Sequence, residues 1–197
     1  MKSSNLFITG CDKNTRWLLD WFVSNYKKHN STSIQVYDFD SFDSSVEAWF
    51  KKPRAMLDAA NKAHNVVWID TDCEVRSNIE GIFNFIEPGK LLMAEDSPWT
   101  KRTKEKWYNS GVVGFTGKPS ILQEWSIHSG LTEERGDQEV LHSILDPLGK
   151  MMYIKELSKE YNTLRIDLID KTIPKEIRVM HWTGAKGKEH IKGMIND

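Results

Sequence analysis

Short apolar runs alternate along this chain with stretches whose apolar residues recur at helical spacing. Leu6-Phe7-Ile8 forms the middle of an extended run, Asn5–Thr9, closed by Gly10. From about Lys13 to Lys28, Trp17, Leu18, Trp21, Phe22 and Tyr26 fall on one face of a helix. Ser33–Tyr37 predicts a second strand, ending in Asp38. Pro53 suits a first helical turn, where its missing N–H would have no partner anyway, and opens a helix carrying Met56, Leu57, Ala60 and Ala63. Asn65–Asp70 is apolar without alternation, as expected of a strand covered on both faces. Further strands are predicted at Leu91–Ala94, Val112–Phe115, Met151–Ile154 and Ile177–Met180, and further helices at Pro119–His128 and Asp137–Leu145.

Strands that alternate with helices argue for an α/β fold with parallel strands. The first half, strand–helix–strand–helix–strand, is the nucleotide-binding pattern of doubly wound folds, in which ligands sit beyond the carboxyl ends of the strands. The residues just after each apolar run are therefore the ones to watch: Thr9, Gly10 and Asp12; Asp38; Asp70 and Asp72; Glu95 and Asp96; and His181. Carboxylates dominate that set, which points to a metal.

Composition narrows the class. The 197 residues favour one domain, 1–197, long enough to bury a core without disulfides or metal staples. With 27 basic and 28 acidic residues the net charge is −1, so no global field draws the chain to nucleic acid or to an anionic membrane. An anionic ligand must be held by local groups. Cys11 and Cys73 form no CxxC pair and read as buried reduced thiols, which fits a cytoplasmic protein. The apolar stretch after Met1-Lys2-Ser3-Ser4-Asn5 is too short for a signal peptide or a membrane span. Eight tryptophans either fill the core or line a site for flat ligand faces such as sugar rings, with Trp99, Trp107 and Trp182 as the candidates for the second role.

Asp70 and Asp72 follow the most buried-looking strand, and residues two apart in extended chain point the same way. Two carboxylates at a strand's end make a hard oxygen site suited to Mg²⁺ or Mn²⁺. The bland alternative is a pair of solvated turn formers. His181 ends another apolar run and reads either as a core histidine or, as neutral imidazole, as a third ligand. Gly184 and Gly187 permit a tight loop whose N–H groups face phosphate, and Lys186 would neutralise a leaving diphosphate. Lys52 either meets phosphate or is a solvated start to the Pro53 helix. Gly10 allows close backbone approach to a ligand. Asp12 either accepts from a base N–H or caps the helix that follows.

The run Val66-Val67-Trp68-Ile69-Asp70-Thr71-Asp72-Cys73, with Lys52-Pro53 and Met56-Leu57 before it, resembles the donor-site core of GT-A glycosyltransferases. It is most similar to family 8, the glycogenin and galactosyltransferase type. Three later segments resemble that family in order: Tyr108-Asn109-Ser110-Gly111, Gly136-Asp137-Gln138, and His181-Trp182-Thr183-Gly184 with Lys186. The resemblance implies a nucleotide-diphospho-sugar transferase fold, with a mostly parallel central sheet flanked by helices. Residues 1–75 would be the Rossmann-like, nucleotide-binding half, and residues 76–197 the sugar and acceptor half with a C-terminal metal-binding segment. It implies that Asp70, Asp72 and His181 bind Mn²⁺ (or Mg²⁺) and that Thr71 faces the ribose. It further implies that Thr9, Gly10 and Asp12 cup the nucleobase and ribose, and that Lys186 contacts the diphosphate. Asn109, Asp137 and Gln138 would lie beside the transferred sugar.

The function so implied is metal-dependent transfer of a sugar from a nucleoside-diphosphate sugar, UDP favoured, to a carbohydrate or other hydroxyl acceptor, with retention at the anomeric carbon. Two rivals stand beside it. One is a metal-dependent sugar nucleotidyltransferase, although Thr9-Gly10-Cys11-Asp12 is neither glycine-rich nor basic. The other is a noncatalytic binding module on the same fold. The chain departs from the family in the short stretch between Asp72 and Leu91 and in Gly187-Lys188, where the family has Pro-Trp. These departures imply an acceptor site that is open, or completed by another protein or subunit.

Overall fold

The computed structural model describes residues 3–43, 46–131 and 134–196; Met1 and Lys2 lie outside the described residues. The strands are β1 (Ser3–Cys11), β2 (Ile34–Asp38), β3 (Ala63–Ile69), β4 (Cys73–Val75), β5 (Leu91–Glu95), β6 (Tyr108–Thr116), β7 (Ile154–Leu157), β8 (Thr163–Leu164) and β9 (Val179–His181). The α-helices are α1 (Leu19–His29), α2 (Phe39–Phe42), α3 (Lys52–Ala59), α4 (Ser97–Thr103), α5 (Ser120–His128), α6 (Asp137–Ser143), α7 (Pro147–Tyr153), α8 (Arg165–Ile169) and α9 (Gly184–Asn196). A six-stranded sheet runs in the order β2-β1-β3-β6-β5-β7, and a small second sheet in the order β4-β9-β8. In the large sheet only β6 opposes its neighbours, pairing antiparallel with both β3 and β5. The others run one way, so the sheet is mostly parallel, as the sequence pattern predicts.

Both faces of the sheet are covered, and the two-residue period of β-strands sorts the side chains between them. Ile8, Val66 and Trp68 pack into one apolar cluster with Met56, Leu122 and Trp125 from the helices on that side. Phe7, Val67 and Ile69 face the other side and pack with Phe22, Tyr26 and Ile79. This is why Asn65–Asp70 shows no alternation of apolar and polar residues.

Several boundaries differ from the sequence expectation. Gly10 does not close β1 but continues it, in register with Tyr37 of β2. The first helix is preceded by a turn. The Asp12 carboxylate accepts hydrogen bonds from Asn14 N, Thr15 N and Thr15 Oγ1, and a short 3₁₀ turn at Arg16–Leu18 leads into α1. Trp17 in consequence points outward, 36 % exposed. Met151 and Met152 are not strand but the exposed last turn of α7; Asp146 caps that helix, Pro147 opens it, and β7 starts only at Ile154. Apolar runs this short do not distinguish strand from helix, whereas the Asp-Pro start signal does.

The largest correction lies at the C-terminus. Gly184 and Gly187 do not make an open loop; both belong to α9. Leu18, Met180, Trp182 and Ile191 form the apolar seam that docks α9 on the body. Gly187 sits so close to the preceding chain that an added Cβ would lie 1.9 Å from the Trp182 carbonyl oxygen. Backbone cannot yield as a flexible side chain does. Gly187→Ala is therefore expected to destabilise the protein by about 2 kcal/mol or more, the scale of core overpacking, read as a lowered urea midpoint.

Candidate active site

Asp70 leaves the end of β3, and its backbone N–H donates to Gly111 O of β6 at 2.8 Å. A tight turn returns the chain at once, Cys73 N donating to Asp70 O, and Trp182 N then donates to Asp72 O. The turn thereby hands the two aspartates to the junction between the sheets. β9 is held antiparallel to β4, with His181 directly opposite Cys73. His181 Nε2 lies 3.2 Å from Asp72 Oδ1 and 3.9 Å from Asp70 Oδ2.

The other ring nitrogen determines the histidine's form. His181 Nδ1 lies 3.1 Å from Asn109 Oδ1 and 3.1 Å from Asn162 Oδ1. The Asn109 amide has one orientation open to it. Its Oδ1 accepts from Gly111 N at 2.9 Å, and its Nδ2 donates to Asp96 Oδ2 and Gln138 Oε1. Asn162 Nδ2 also donates to Asn109 Oδ1, so the Asn162 oxygen is the atom that faces the ring. Amide oxygens only accept, so Nδ1 must carry the proton. In the neutral ring Nε2 then presents a lone pair toward the two carboxylates, the tautomer and second-shell support typical of a metal-ligating histidine. Gly111 is required for this fit: a Cβ there would lie 2.2 Å from the imidazole.

Lys52, at the start of α3, is 5 % exposed and faces inward. Its Nζ lies 2.9 Å from Asp70 Oδ1 and 3.0 Å from Asp137 Oδ2. It also donates to Ser110 O and Ser110 Oγ, and Trp68 Nε1 donates to Asp70 Oδ1 at 2.6 Å. Burial opposes the ammonium charge, but Asp137 and Asp70 outweigh it, so the lysine stays charged and its pKa rises. Burial raises Asp70, and the like charge of Asp72 adds to this against the pull of Lys52. Burial also pushes Asp72 upward, yet the His181 ring beside it prevails and holds its carboxyl low. His181 is raised in turn, because Asp72 overcomes the penalty of burial.

Two clefts open from this cluster, and both include Asp70 and Asp137 in their walls. One, of about 260 Å³, has Trp49, Phe39 and Trp68 as its apolar wall and Thr71 and Lys188 at its polar end. Phe39 and Trp68 stack nearly parallel, centroids 5.9 Å apart at 3°, over Gly10. The other, of about 250 Å³, is lined by Trp99, Arg102, Gln138, Glu139 and Asn109. A larger cavity of about 730 Å³ between α5 and α7 holds Ile121, Leu148 and Met152, away from this chemistry. Size alone is a poor guide here, since the convergent charges and amides lie at the smaller clefts.

The structure thus gathers Asp70, Asp72, His181, Lys52, Asp137, Gln138, Asn109 and Thr71, with Gly10 and Asp12 on the wall of the first cleft. Asp12 is occupied with its own turn and does not cap the helix as the alternative had it, since the N-cap positions are Thr15 for the 3₁₀ turn and Leu18 for α1. Thr9 is wholly buried in β1 and reaches neither cleft wall. Gly184 and Lys186 lie exposed at the start of α9, outside both walls. Lys188, two residues on, brings Nζ to 3.7 Å from Asp72 Oδ2. Asn162 has no counterpart in the sequence reading, Gly111 enters it only as part of the Tyr108–Gly111 segment, and Lys188 only as a solvated charge beside Gly187. Asn162 lies in a polar loop with no motif around it. Asp96 follows its strand as foreseen, and its side chain accepts from Asn109, Gln138 and Trp99 N.

Solved glycosyltransferases share this architecture. The glycosyltransferase GlyE of Streptococcus pneumoniae TIGR4 matches with a TM-score of 0.68 at 16% identity, over 93% of this chain and 55% of its own. A glycosyltransferase involved in glycosylation of the major capsid of PBCV-1 gives 0.66 at 16% identity, over 96% and 99%. The galactosyltransferase LgtC, solved with donor and acceptor sugar analogs, gives 0.58 at 12% identity, over 91% and 87%. The fold is GT-A-like. The chain spans about half the length of GlyE. No protein-family model and no curated protein matches it in sequence.

Removing the Lys52 ammonium leaves two enclosed carboxylates facing each other. Lys52→Met is expected to cost about 3–5 kcal/mol in urea unfolding, the scale for breaking a buried pair, and Lys52→Met/Asp137→Asn to recover part of that loss.

Proposed function

We propose that this protein is a metal-dependent glycosyltransferase that moves a sugar from a nucleoside-diphosphate sugar, UDP-linked by preference, to a hydroxyl acceptor with retention. The observation that carries the reading is the meeting of two clefts at Asp70 and Asp137, with Asp72 and the Nε2 of His181 beside them. In this reading the Phe39–Trp68 wall takes the nucleobase and Thr71 lies near the ribose. The second cleft receives sugar and acceptor. Residues 1–75 form the nucleotide half and residues 76–197 the sugar and acceptor half of one catalytic domain. The likeness to solved glycosyltransferases supports the reading at the level of fold.

The donor set of two carboxylates and an imidazole with a bare nitrogen fits Mn²⁺ or Mg²⁺. When bound there, such a cation supplies charge to stabilise the departing diphosphate. The chain's own groups do the rest. Lys188, facing Asp72, adds a positive charge on the phosphate side. Lys52 has no freedom to meet phosphate; its ion pair holds Asp137 fixed where the clefts join. The Asp137 carboxylate there favours positive charge building on the sugar's anomeric carbon as the C1–O bond opens. Gln138 is locked by Asn109, Ser110 and Asp96, so its amide positions the sugar rather than attacking it. The free, buried thiols of Cys11 and Cys73 support work in a reducing compartment such as the cytoplasm. No helix among the described residues is long and apolar enough to cross a membrane.

The test is release of nucleoside diphosphate from UDP- and GDP-sugars in the presence of Mn²⁺. Wild type is expected to release it, and Asp72→Ala to be slower by about 100-fold, the scale for losing one charge-stabilising group. Full activity in Asp72→Ala would refute the metal role, and free pyrophosphate as product would mark a nucleotidyltransferase instead. Metal affinity is expected to depend on pH in one direction. His181 and Asp70 are both raised, so at each a proton competes with the metal up to a higher pH than usual. Mn²⁺ affinity, followed by electron paramagnetic resonance, should climb as pH rises through and beyond the ordinary histidine range, and a flat profile would contradict the ligand assignment.

A further inference from the structure

Cys73 stands at this centre without a place in the carboxylate–imidazole set. As the first residue of β4 it lies directly across the antiparallel ladder from His181, so the two side chains leave the same face. One carboxylate oxygen of Asp72, the Sγ of Cys73 and a ring nitrogen of His181 all lie within 4.8 Å of one another. The three residues are 9 %, 0 % and 5 % exposed. Carboxylate, thiolate and imidazole are the donors of protein zinc sites, with bonds of about 2.0–2.3 Å. Tetrahedral ligand atoms at such bond lengths stand roughly 3.5 Å apart, so side-chain shifts of about an ångström would close this trio on an ion. Thiolate donors favour Zn²⁺ and its neighbours over Mg²⁺ and Mn²⁺, which prefer oxygen.

We propose that Asp72, Cys73 and His181 form a second, softer ligand set that captures Zn²⁺-like cations and excludes the hard cation from Asp70, Asp72 and His181. The inference rests on the metal-centre reading above. The two sets share Asp72 and His181, so one ion occupies the centre at a time. On capture the Cys73 S–H bond breaks, an S–metal bond forms and the proton leaves to solvent; no electrons change hands. Asp70 remains with Lys52, 2.9 Å away, instead of turning to the ion. A zinc-loaded centre therefore lacks one of the two carboxylates that the donor site needs.

Co²⁺ is the probe, titrated into the metal-free full chain. A thiolate-to-cobalt charge-transfer band in the near ultraviolet is expected, saturating at one equivalent. Cys11→Ser should keep it; Cys73→Ser and Cys73→Ala, checked for folding by circular dichroism, should lose it. One equivalent of Zn²⁺ should erase the band, while a tenfold excess of Mn²⁺ should not. Zn²⁺ retention in Cys73→Ser should weaken by at least about tenfold, since even outer-sphere partners of metal ligands matter that much. No band in wild type, or a band that survives both Cys73 variants, overturns the proposal. Mn²⁺ paramagnetic resonance separates the two failures. Equal Mn²⁺ binding by wild type and Cys73→Ser, with no cobalt band, removes only the thiol. No Mn²⁺ binding by wild type removes the centre as well.

Discussion

The ammonium of Lys52 is enclosed at the first turn of α3, between Asp70 at the end of β3 and Asp137 at the start of α6. Three elements distant in sequence converge on that one charge. A lysine so enclosed stays protonated only because two carboxylates face it, and those carboxylates stay where they are only because the lysine does. The arrangement also sets the orientation of both clefts, since Asp70 and Asp137 belong to the wall of each. In the proposed function Lys52 is thus a scaffold for Asp70 and Asp137 rather than a ligand for phosphate, a role that would fall to cations at the rim such as Lys188.

Around that charge the polar side chains are arranged so that each has one orientation. Gly111 N–H fixes the Asn109 amide, the Asn109 and Asn162 oxygens fix the His181 tautomer, and the tautomer turns Nε2 toward Asp72. Gln138 and Asp96 close the same network from the other side. A network linked at this many points is rigid, and a rigid set of donors loses little on binding a charged ligand. The crowded feature is the approach of Asp70, Asp72 and His181 to one another, and in the proposed function a divalent cation would hold all three.

The antiparallel strand β6 explains which residues reach the site. In a purely parallel sheet only residues after each strand would lie at the active edge. Because β6 runs the other way, its beginning rather than its end arrives there, and Tyr108-Asn109-Ser110-Gly111 enters with it. Counting strand ends from the sequence therefore finds Asp70, Asp96 and His181, while Asn109 was noticed only through a family resemblance. The C-terminal segment shows the opposite error. Two glycines suggested a loop, but Gly187 is there to let α9 pack against the Trp182 carbonyl, and helix periodicity then carries Lys188, not Lys186, toward Asp72.

By itself the sequence determined the layers of this protein. Apolar runs without alternation demand a sheet covered on both faces, and the start signal at Pro53 demands a helix, because these depend on local chemistry and on the period of the chain. It also placed Asp70 and Asp72 at the end of a buried strand. The tertiary structure alone decided what stands beside them. Asn162 and Lys188 carry no motif, and Cys73 reads as an ordinary buried thiol until strand pairing sets it opposite His181. Which distant side chain shares a buried charge or an amide oxygen depends on the register between strands and on the seat of a helix, and no local pattern encodes either.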